Sequence, residues 1–259
     1  MLILLPPSEG KTAPTRGPVL NLTNLSFPGL GPTRSRVLES LVQVCRTQPE
    51  SAAIVLGLGP TQSGDVEANA SLRERPCGPA IGIYTGVLFE SLAYPSLSPL
   101  GRRRARRTLA ISSGLWGLVR PTDLIPTYRL SGGVSLPGLG TLAAEWKAPV
   151  SEAIGIADGL ILDLRSGTYS ALGPVPRDAG ARTATVRVLQ ERDGRRTVVS
   201  HFNKATKGRL VRALLEAPAL PRDVDDFVDA LADCGFRAER QAAGRAGRPT
   251  AVDVIVTDR

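Results

Sequence analysis

The chain opens Met1-Leu2-Ile3-Leu4-Leu5-Pro6-Pro7-Ser8-Glu9-Gly10-Lys11-Thr12. Five consecutive apolar residues are too few for a helix and read as a short buried strand. Pro6 and Pro7 have no N–H to give a ladder and end it. Two later stretches carry a similar signal. Residues 108–112 are β-rich, and residues 159–164 are apolar and run into Arg165-Ser166-Gly167, a loop placed at a strand's carboxyl end.

Helical patterns lie between these strands. Val37, Leu38, Leu41, Val42 and Cys45 recur at helical spacing beside Arg34, Arg36 and Glu39, which predicts an amphipathic helix over 34–45. Residues 50–72 predict two short helices around the Gly57-Leu58-Gly59-Pro60 turn, residues 84–92 another, and residues 142–156 a helix with Trp146 on its apolar face and Pro149 inside. Ser113-Gly114 is expected to open a short helix that Pro121 ends or bends. Asp193-Gly194 between residues 183–190 and 195–202 is a hairpin signal, because glycine tolerates the positive φ of the turn. Asn203 is then expected to cap a helix over 204–215, followed by a helix over 221–232 and edge strands over 236–242 and 251–257. There is no fixed-period repeat and no long low-complexity linker. The expectation is one α/β domain over residues 1–259, an α+β arrangement with helices around a mixed sheet.

With 259 residues, 42% of them hydrophobic, the chain can bury a full core and is not disordered. No apolar run approaches the roughly 20 residues of a membrane span, and the first residues lack a basic flank and cleavage site, so a cytoplasmic protein without a membrane partner is expected. Cys45, Cys77 and Cys234 are widely spaced and read as buried free thiols. His201 is the only histidine, which excludes a several-histidine metal site and any Ser-His-Asp triad that omits it. Neither a metal nor a cofactor is expected. The net charge is +8, and only four of the 32 basic residues, Lys11, Lys147, Lys204 and Lys207, are lysines. Those four are candidates for positions where a compact ammonium matters.

Several segments carry candidate chemistry. Gly10-Lys11-Thr12 ends like a phosphate-binding P-loop, but Leu5 stands where the first glycine belongs and Pro6 and Pro7 remove two donors; Lys11 remains as a loop lysine aimed at some other anion. The Gly57 to Pro60 turn is either a helix-hairpin-helix element that offers N–H groups to a DNA phosphate or an ordinary glycine turn, and Pro28-Gly29-Leu30-Gly31-Pro32 has a similar look. Arg102, Arg103, Arg104, Arg106 and Arg107 form either a solvated helix face or a polyanion contact. Aromatic residues are only 4% of the chain, which suits duplex backbone better than stacked single strands. Lys204, Lys207 and Arg209 fall in the first turns of a helix, where the macrodipole already repels cations, so a visiting anion would explain them. His201 just before them is either a general acid or base or a structural residue. The stretch Ser112 to Gly117, then Arg120-Pro121-Thr122-Asp123 and Tyr128-Arg129-Leu130, is dense in polar tips. Arg120 and Asp123 either pair and lock the turn or belong to a site.

Met1-Leu2-Ile3-Leu4 with Lys11-Thr12, Tyr84-Thr85-Gly86, Ser113-Gly114-Leu115-Trp116-Gly117-Leu118-Val119-Arg120-Pro121, Asp123, Tyr128-Arg129-Leu130, Trp146 and residues 204–209, in that order, resemble the YaaA family of peroxide-stress proteins. The resemblance implies a cytoplasmic bacterial protein that limits damage when hydrogen peroxide and free iron threaten DNA. It also implies a single α/β fold unlike the common superfolds, and DNA binding through a basic cleft and a helix-hairpin-helix element over about residues 50–72. The sequence departs from the family pattern at His201-Phe202-Asn203-Lys204, and after Pro221 it carries no family motif.

Two readings follow. In the first, a non-enzymatic protein binds double-stranded or branched DNA, with Lys11, Gly57, Gly59, Arg120, Arg129, Lys204, Lys207 and Arg209 as the nucleic-acid or anion contacts. In the alternative, an enzyme acts on a small anionic substrate such as a nucleotide or nucleobase, with Lys11, Tyr84, Arg120, Tyr128, Ser166 and Lys204 converging in one cleft and Lys204 or Tyr128 moving protons. Direct iron sequestration is disfavoured by the sparse soft ligands.

Overall fold

A computed structural model describes residues 1–192, 195–198, 200–242 and 247–257. After β1 (Leu2–Leu5) come α1 (Gly31–Thr47), α2 (Pro49–Val55), α3 (Ser63–Ala70), the two-residue β2 (Gly78–Pro79), α4 (Ala80–Ile83), α5 (Val87–Leu92) and α6 (Pro99–Thr108). The chain returns through β3 (Leu109–Ser113) and doubles back in β4 (Gly117–Val119). Short pieces β5 (Leu124–Ile125), β6 (Ser135–Leu136) and β7 (Gly140–Thr141) lead to α7 (Leu142–Gly155). The last third holds β8 (Ile161–Asp163), α8 (Gly167–Ala171), β9 (Thr183–Arg192), β10 (Arg195–Val198), α9 (Ser200–Glu216), α10 (Val224–Asp233), β11 (Arg237–Arg240) and β12 (Thr250–Thr257).

The architecture is mixed α/β, as the sequence pattern predicts. The main sheet has the order β11-β12-β9-β8-β1-β3-β4, with β10 paired to β9. The strands β12, β9, β8, β1 and β3 run parallel, and β4, β10 and β11 are antiparallel to their neighbours. Every residue of β1 and β3 is buried, which is why both read as unbroken rather than alternating runs. Each large aliphatic side chain in them contributes about 2 kcal/mol of burial. Most of the buried apolar residues form one cluster, from Leu2 to Val254.

The helices follow their apolar stripes. Val37, Leu38 and Leu41 of α1 and Leu210, Val211, Leu214 and Leu215 of α9 are inaccessible to solvent. Pro149 lies inside α7, and Trp146 is buried with its indole N–H donating to the Gly114 carbonyl at 2.9 Å. The helix α9 packs closely on α5: a Cβ at Gly208 would stand 2.3 Å from the Leu88 carbonyl oxygen.

Four local expectations are corrected. Ser113-Gly114 opens no helix; the Ser113 hydroxyl accepts the amides of Leu115 at 3.1 Å and Trp116 at 2.9 Å, and Gly117, at φ +70°, starts the antiparallel β4. Tyr84 is not helical; it follows α4 in an extended conformation and bridges to Lys11. Asn203 is not a cap, because β10 ends at Val198 and α9 already begins at Ser200, which puts Asn203 and His201 in its first turn. β12 is not an edge strand, since β9 pairs along its whole length on one side and β11 covers the other. The hairpin strands β9 and β10 form as expected, while Asp193 and Gly194 lie outside the described residues.

Candidate functional site

Parallel pairing of β8, β1 and β3 brings three carboxyl-terminal loops to one edge of the sheet: residues 6–12 after β1, the turn after Ser113, and residues 164–168 after β8. Open α/β sheets present ligand sites at such an edge. Two hollows open there. One, of about 430 Å³, is lined by Lys11, Asp65, Arg75, Tyr128 and Arg129 among others. The other, of about 600 Å³, lies among Pro6, Pro7, Leu88, Leu164, Ser166, Tyr169, Val186, Val188, Asn203, Lys204 and Lys207. Glu9 borders both, and its carboxylate is 2.8 Å from the Arg129 guanidinium, which is itself 4.0 Å from Asp65.

A hydrogen-bonded chain runs beneath the first hollow. The Ser113 hydroxyl, fixed by two backbone amides, lies 2.6 Å from the Tyr128 hydroxyl, which is 2.9 Å from the Tyr84 hydroxyl. Lys11 Nζ sits over the two rings, 4.7 Å from the Tyr128 centroid and 5.7 Å from that of Tyr84. It donates to the carbonyls of Ser8 at 3.0 Å and Glu9 at 3.3 Å. Burial, seconded by the Arg129 charge, pushes the Lys11 ammonium down to about 8, with Glu9 and Asp65 opposing. Burial moves both tyrosines the other way, well above the usual phenol range. Both phenols stay protonated near neutral pH, which leaves Tyr128 able to give a proton but not to take one.

The second hollow has largely apolar walls and a cationic end. Lys207 is buried and donates to the Leu164 carbonyl at 3.0 Å, with burial lowering its pKa against the pull of Asp163. Lys204, one turn earlier on the same face of α9, is exposed. Arg165 is held by a buried two-pronged pair with Asp163, at 2.9 and 2.7 Å, and Arg187 by Asp253, at 2.7 and 2.9 Å. Among the described residues, Asn203 Oδ1 is buried without a hydrogen-bond partner.

The structure thus brings Lys11, Tyr84, Tyr128 and Arg129 together at the first hollow, and Ser166, Lys204 and Lys207 at the second. It does not bring in Arg120. Its guanidinium donates to the carbonyl of Leu109, the first residue of β3, and stacks on Phe27, so it sits at the amino-terminal end of the sheet. Asp123 does lock that turn, but through backbone and Ser26: its carboxylate accepts the Arg120 amide at 2.9 Å and the Ser26 hydroxyl at 2.7 Å. Buried Arg34 completes the lock by donating to the carbonyls of Trp116, Leu118 and Ser26. Arg209 points away from the cleft toward Thr206 on its own helix. The arginine run lies on α6, whose end leads into β3, again at the amino end; Arg104 there holds the carbonyls of Leu215 and Pro218. At the Gly57 turn, the amides of Gly57 and Leu58 are bonded to the carbonyls of Ile54 and Ala53, and that of Gly59 to the Gln62 side chain at 3.0 Å. These N–H groups are engaged internally. The His201 side chain lies outside the described residues.

Sequence reasoning missed Ser113 as a site residue, along with Glu9, Arg75, Tyr169 and Asn203. The Ser-Gly pair at a strand end was the available signal for the first; the others have none, because their roles arise from long-range packing. Cys45 and Cys77 are buried free thiols pushed up to about 11 by burial, and Cys234 is half-buried. No group of three or more His, Cys, Asp or Glu residues suited to a metal occurs among the described residues, nor any helix long and apolar enough to cross a membrane.

Comparison with known proteins agrees over nearly the whole chain. A family described as peroxide stress protein YaaA matches residues 1–242. A UPF0246 protein of Streptomyces coelicolor is 50% identical over 258 residues, covering 99% of this chain and 98% of that one. A UPF0246 protein of Corynebacterium efficiens is 42% identical over 243 residues, or 92% and 95% of the two chains. One from Bacteroides thetaiotaomicron is 30% identical over 145 residues, 53% of this chain and 56% of its own.

Proposed function

Because the chain belongs to the family of the peroxide stress protein YaaA, we propose that it works as one unit in the cytoplasmic response to hydrogen peroxide, as a protein that binds double-stranded or branched DNA and limits the damage that peroxide and free iron inflict on it. The observation that carries this reading is the pairing pattern at the carboxyl edge of the sheet. Arg129, Arg165 and Arg187 have carboxylate partners, whereas Lys11 and Lys207 bond backbone carbonyls and Lys204 has no ion-pair partner among the described residues. Ammonium groups without a direct ion-pair partner among the described residues, Lys204 above all, are what a phosphate backbone neutralises. At the Gly57 turn a phosphate contact would have to displace the Gln62 side chain from the Gly59 amide. Contact would be made to backbone phosphates, with little readout of bases.

The test is binding of a fluorescent duplex and a four-way junction across a salt series, for the native chain and the Lys204→Ala, Lys207→Ala double variant, with thermal melting as a folding control. The affinity is expected to fall steeply with log salt, and the folded variant to bind more weakly with a shallower slope. Affinity indifferent to salt, or absent at low salt, overturns the reading.

A second reading is favoured by the walls of the larger hollow. Pro6, Pro7, Leu88, Leu164, Val186 and Val188 give it an apolar interior with Lys204, Lys207 and the unpartnered Asn203 oxygen at its end. That combination suits a small anionic ligand with a planar, weakly polar body, such as a nucleotide or nucleobase. Retention of such a ligand with no DNA affinity would favour an enzyme on that substrate class.

A further inference from the structure

The smaller hollow presents an amine beside cationic side chains. Lys11 Nζ is held at one place by two carbonyls and two aromatic faces. It faces a hollow of about 430 Å³ that also exposes Arg75, which has no carboxylate partner among the described residues, and Arg129. The flanking Ser113, Tyr128 and Tyr84 hydroxyls bond one another, and the Glu9 and Asp65 carboxylates that line the same hollow act on the amine without forming an ion pair with it among the described residues. An amine kept from full hydration and beside a second cation is one that reacts as a nucleophile with carbonyl carbon. The lowered ammonium pKa leaves part of it as free amine near neutral pH.

We infer that Lys11 forms a Schiff base with the open-chain aldehyde of a phosphorylated sugar seated in this hollow. Lys11 Nζ attacks the aldehyde carbon to give a carbinolamine; the oxygen then leaves as water, taking the two hydrogens that the amine gives up, and a carbon–nitrogen double bond remains. No oxidant or reductant is consumed. Arg75, which lines the hollow, supplies the charge for the phosphate, whereas Arg129 is already paired with Glu9. Such an aldehyde has two sources, a base-free deoxyribose within a DNA strand or a free sugar phosphate. Only the first rests on the DNA-binding reading above. Helix α3, which follows the Gly57 turn, lines the same hollow through Gly64, Asp65 and Ala68, so a strand lying on that turn would pass the amine.

The experiment is reduction with borohydride in the presence of either a duplex carrying one abasic deoxyribose or free deoxyribose 5-phosphate, followed by peptide mapping. Four lysines and the Met1 amine are the candidate nucleophiles, so the mapping is decisive. The expected result is a reduced adduct on Lys11 of the native chain, unchanged in Lys147→Arg and lost in Lys11→Arg, which keeps a cation but removes the nucleophile. Adduct only with the duplex identifies a DNA substrate, and adduct only with the free sugar phosphate identifies a metabolite. Duplex binding measured separately distinguishes failure of DNA binding from failure of the amine chemistry. No adduct with either aldehyde, or an adduct spread over Lys147, Lys204, Lys207 and Met1, overturns the inference. Because the mapping is done on the native chain, misfolding of a variant does not blur the result.

Discussion

The Tyr128 hydroxyl lies 2.6 Å from the Ser113 hydroxyl, and through it two backbone amides of a tight turn are coupled to a second buried phenol, Tyr84, 2.9 Å further on. Removing the middle member should therefore affect both ends. Tyr128→Phe is expected to cost about 1–3 kcal/mol, because the buried Tyr84 hydroxyl is left unpaired and the Ser113 hydroxyl keeps only the two amides it accepts. Tyr84→Phe should cost less, and the double variant less than the sum of the two. Urea unfolding of the four proteins checks this; strict additivity would mean the chain carries no coupling.

Lys11 gives a pH dependence of definite sign. Its folded-state pKa is lowered to about 8 from 10.5, so between those values the unfolded chain holds more protons and folding stability rises with pH. Below about 8 the penalty is constant. Relative to Lys11→Met, the native chain should gain at most about 3 kcal/mol across this window. Using the difference between the two proteins cancels the titration of Lys207, Met1 and the thiols. A difference that is flat from pH 8 to 10.5 would contradict the burial of the amine.

Gly208 allows α9 to lie against α5. Adding one methyl group would meet the Leu88 carbonyl at 2.3 Å and the Ser91 Cβ at 2.7 Å, so Gly208→Ala must push the helices apart. A loss of about 1–3 kcal/mol is expected, read as a lower melting temperature. Since Lys204 and Lys207 ride on α9, anion affinity should drop with it.

The Asp163–Arg165 pair is a scaffold for the larger hollow. Asp163→Asn leaves the Arg165 guanidinium buried without its counter-charge and should cost about 3–5 kcal/mol in urea unfolding. Asn203→Leu should do the reverse: it removes a buried oxygen with no partner among the described residues, so melting temperature is expected to hold or rise while ligand affinity falls. A large destabilisation by Asn203→Leu would show that the side chain has a structural role instead.

What the sequence disclosed was local. The strands β1 and β3 and the stripes of α1, α7 and α9 follow from residue spacing alone, since each buries a face its own pattern defines. Ser113-Gly114 was misread because a serine followed by a glycine marks a helix start and a strand turn equally well; the partner that decides is Trp146, 29 or more residues on, which packs against Gly117. Arg120 was grouped with Lys11 by its polar neighbourhood, yet β3 and β4 carry it back to the opposite end of the sheet. The inner position of β12 and the unpartnered oxygen of Asn203 depend on pairings between distant segments, which periodicity does not encode.

β8 has three residues while its neighbour β9 has ten, so beyond Thr185 one side of β9 is free of β8 and is taken up by β10. Val186 and Val188, just past that step, wall the larger hollow. That wall of the hollow is therefore built by the short stretch of β9 between its pairing with β8 and its pairing with β10. Substitution of Val186 or Val188 would reshape the chamber for a different occupant while leaving Lys204 and Lys207 in place, because one strand carries the wall and a separate helix carries the charge.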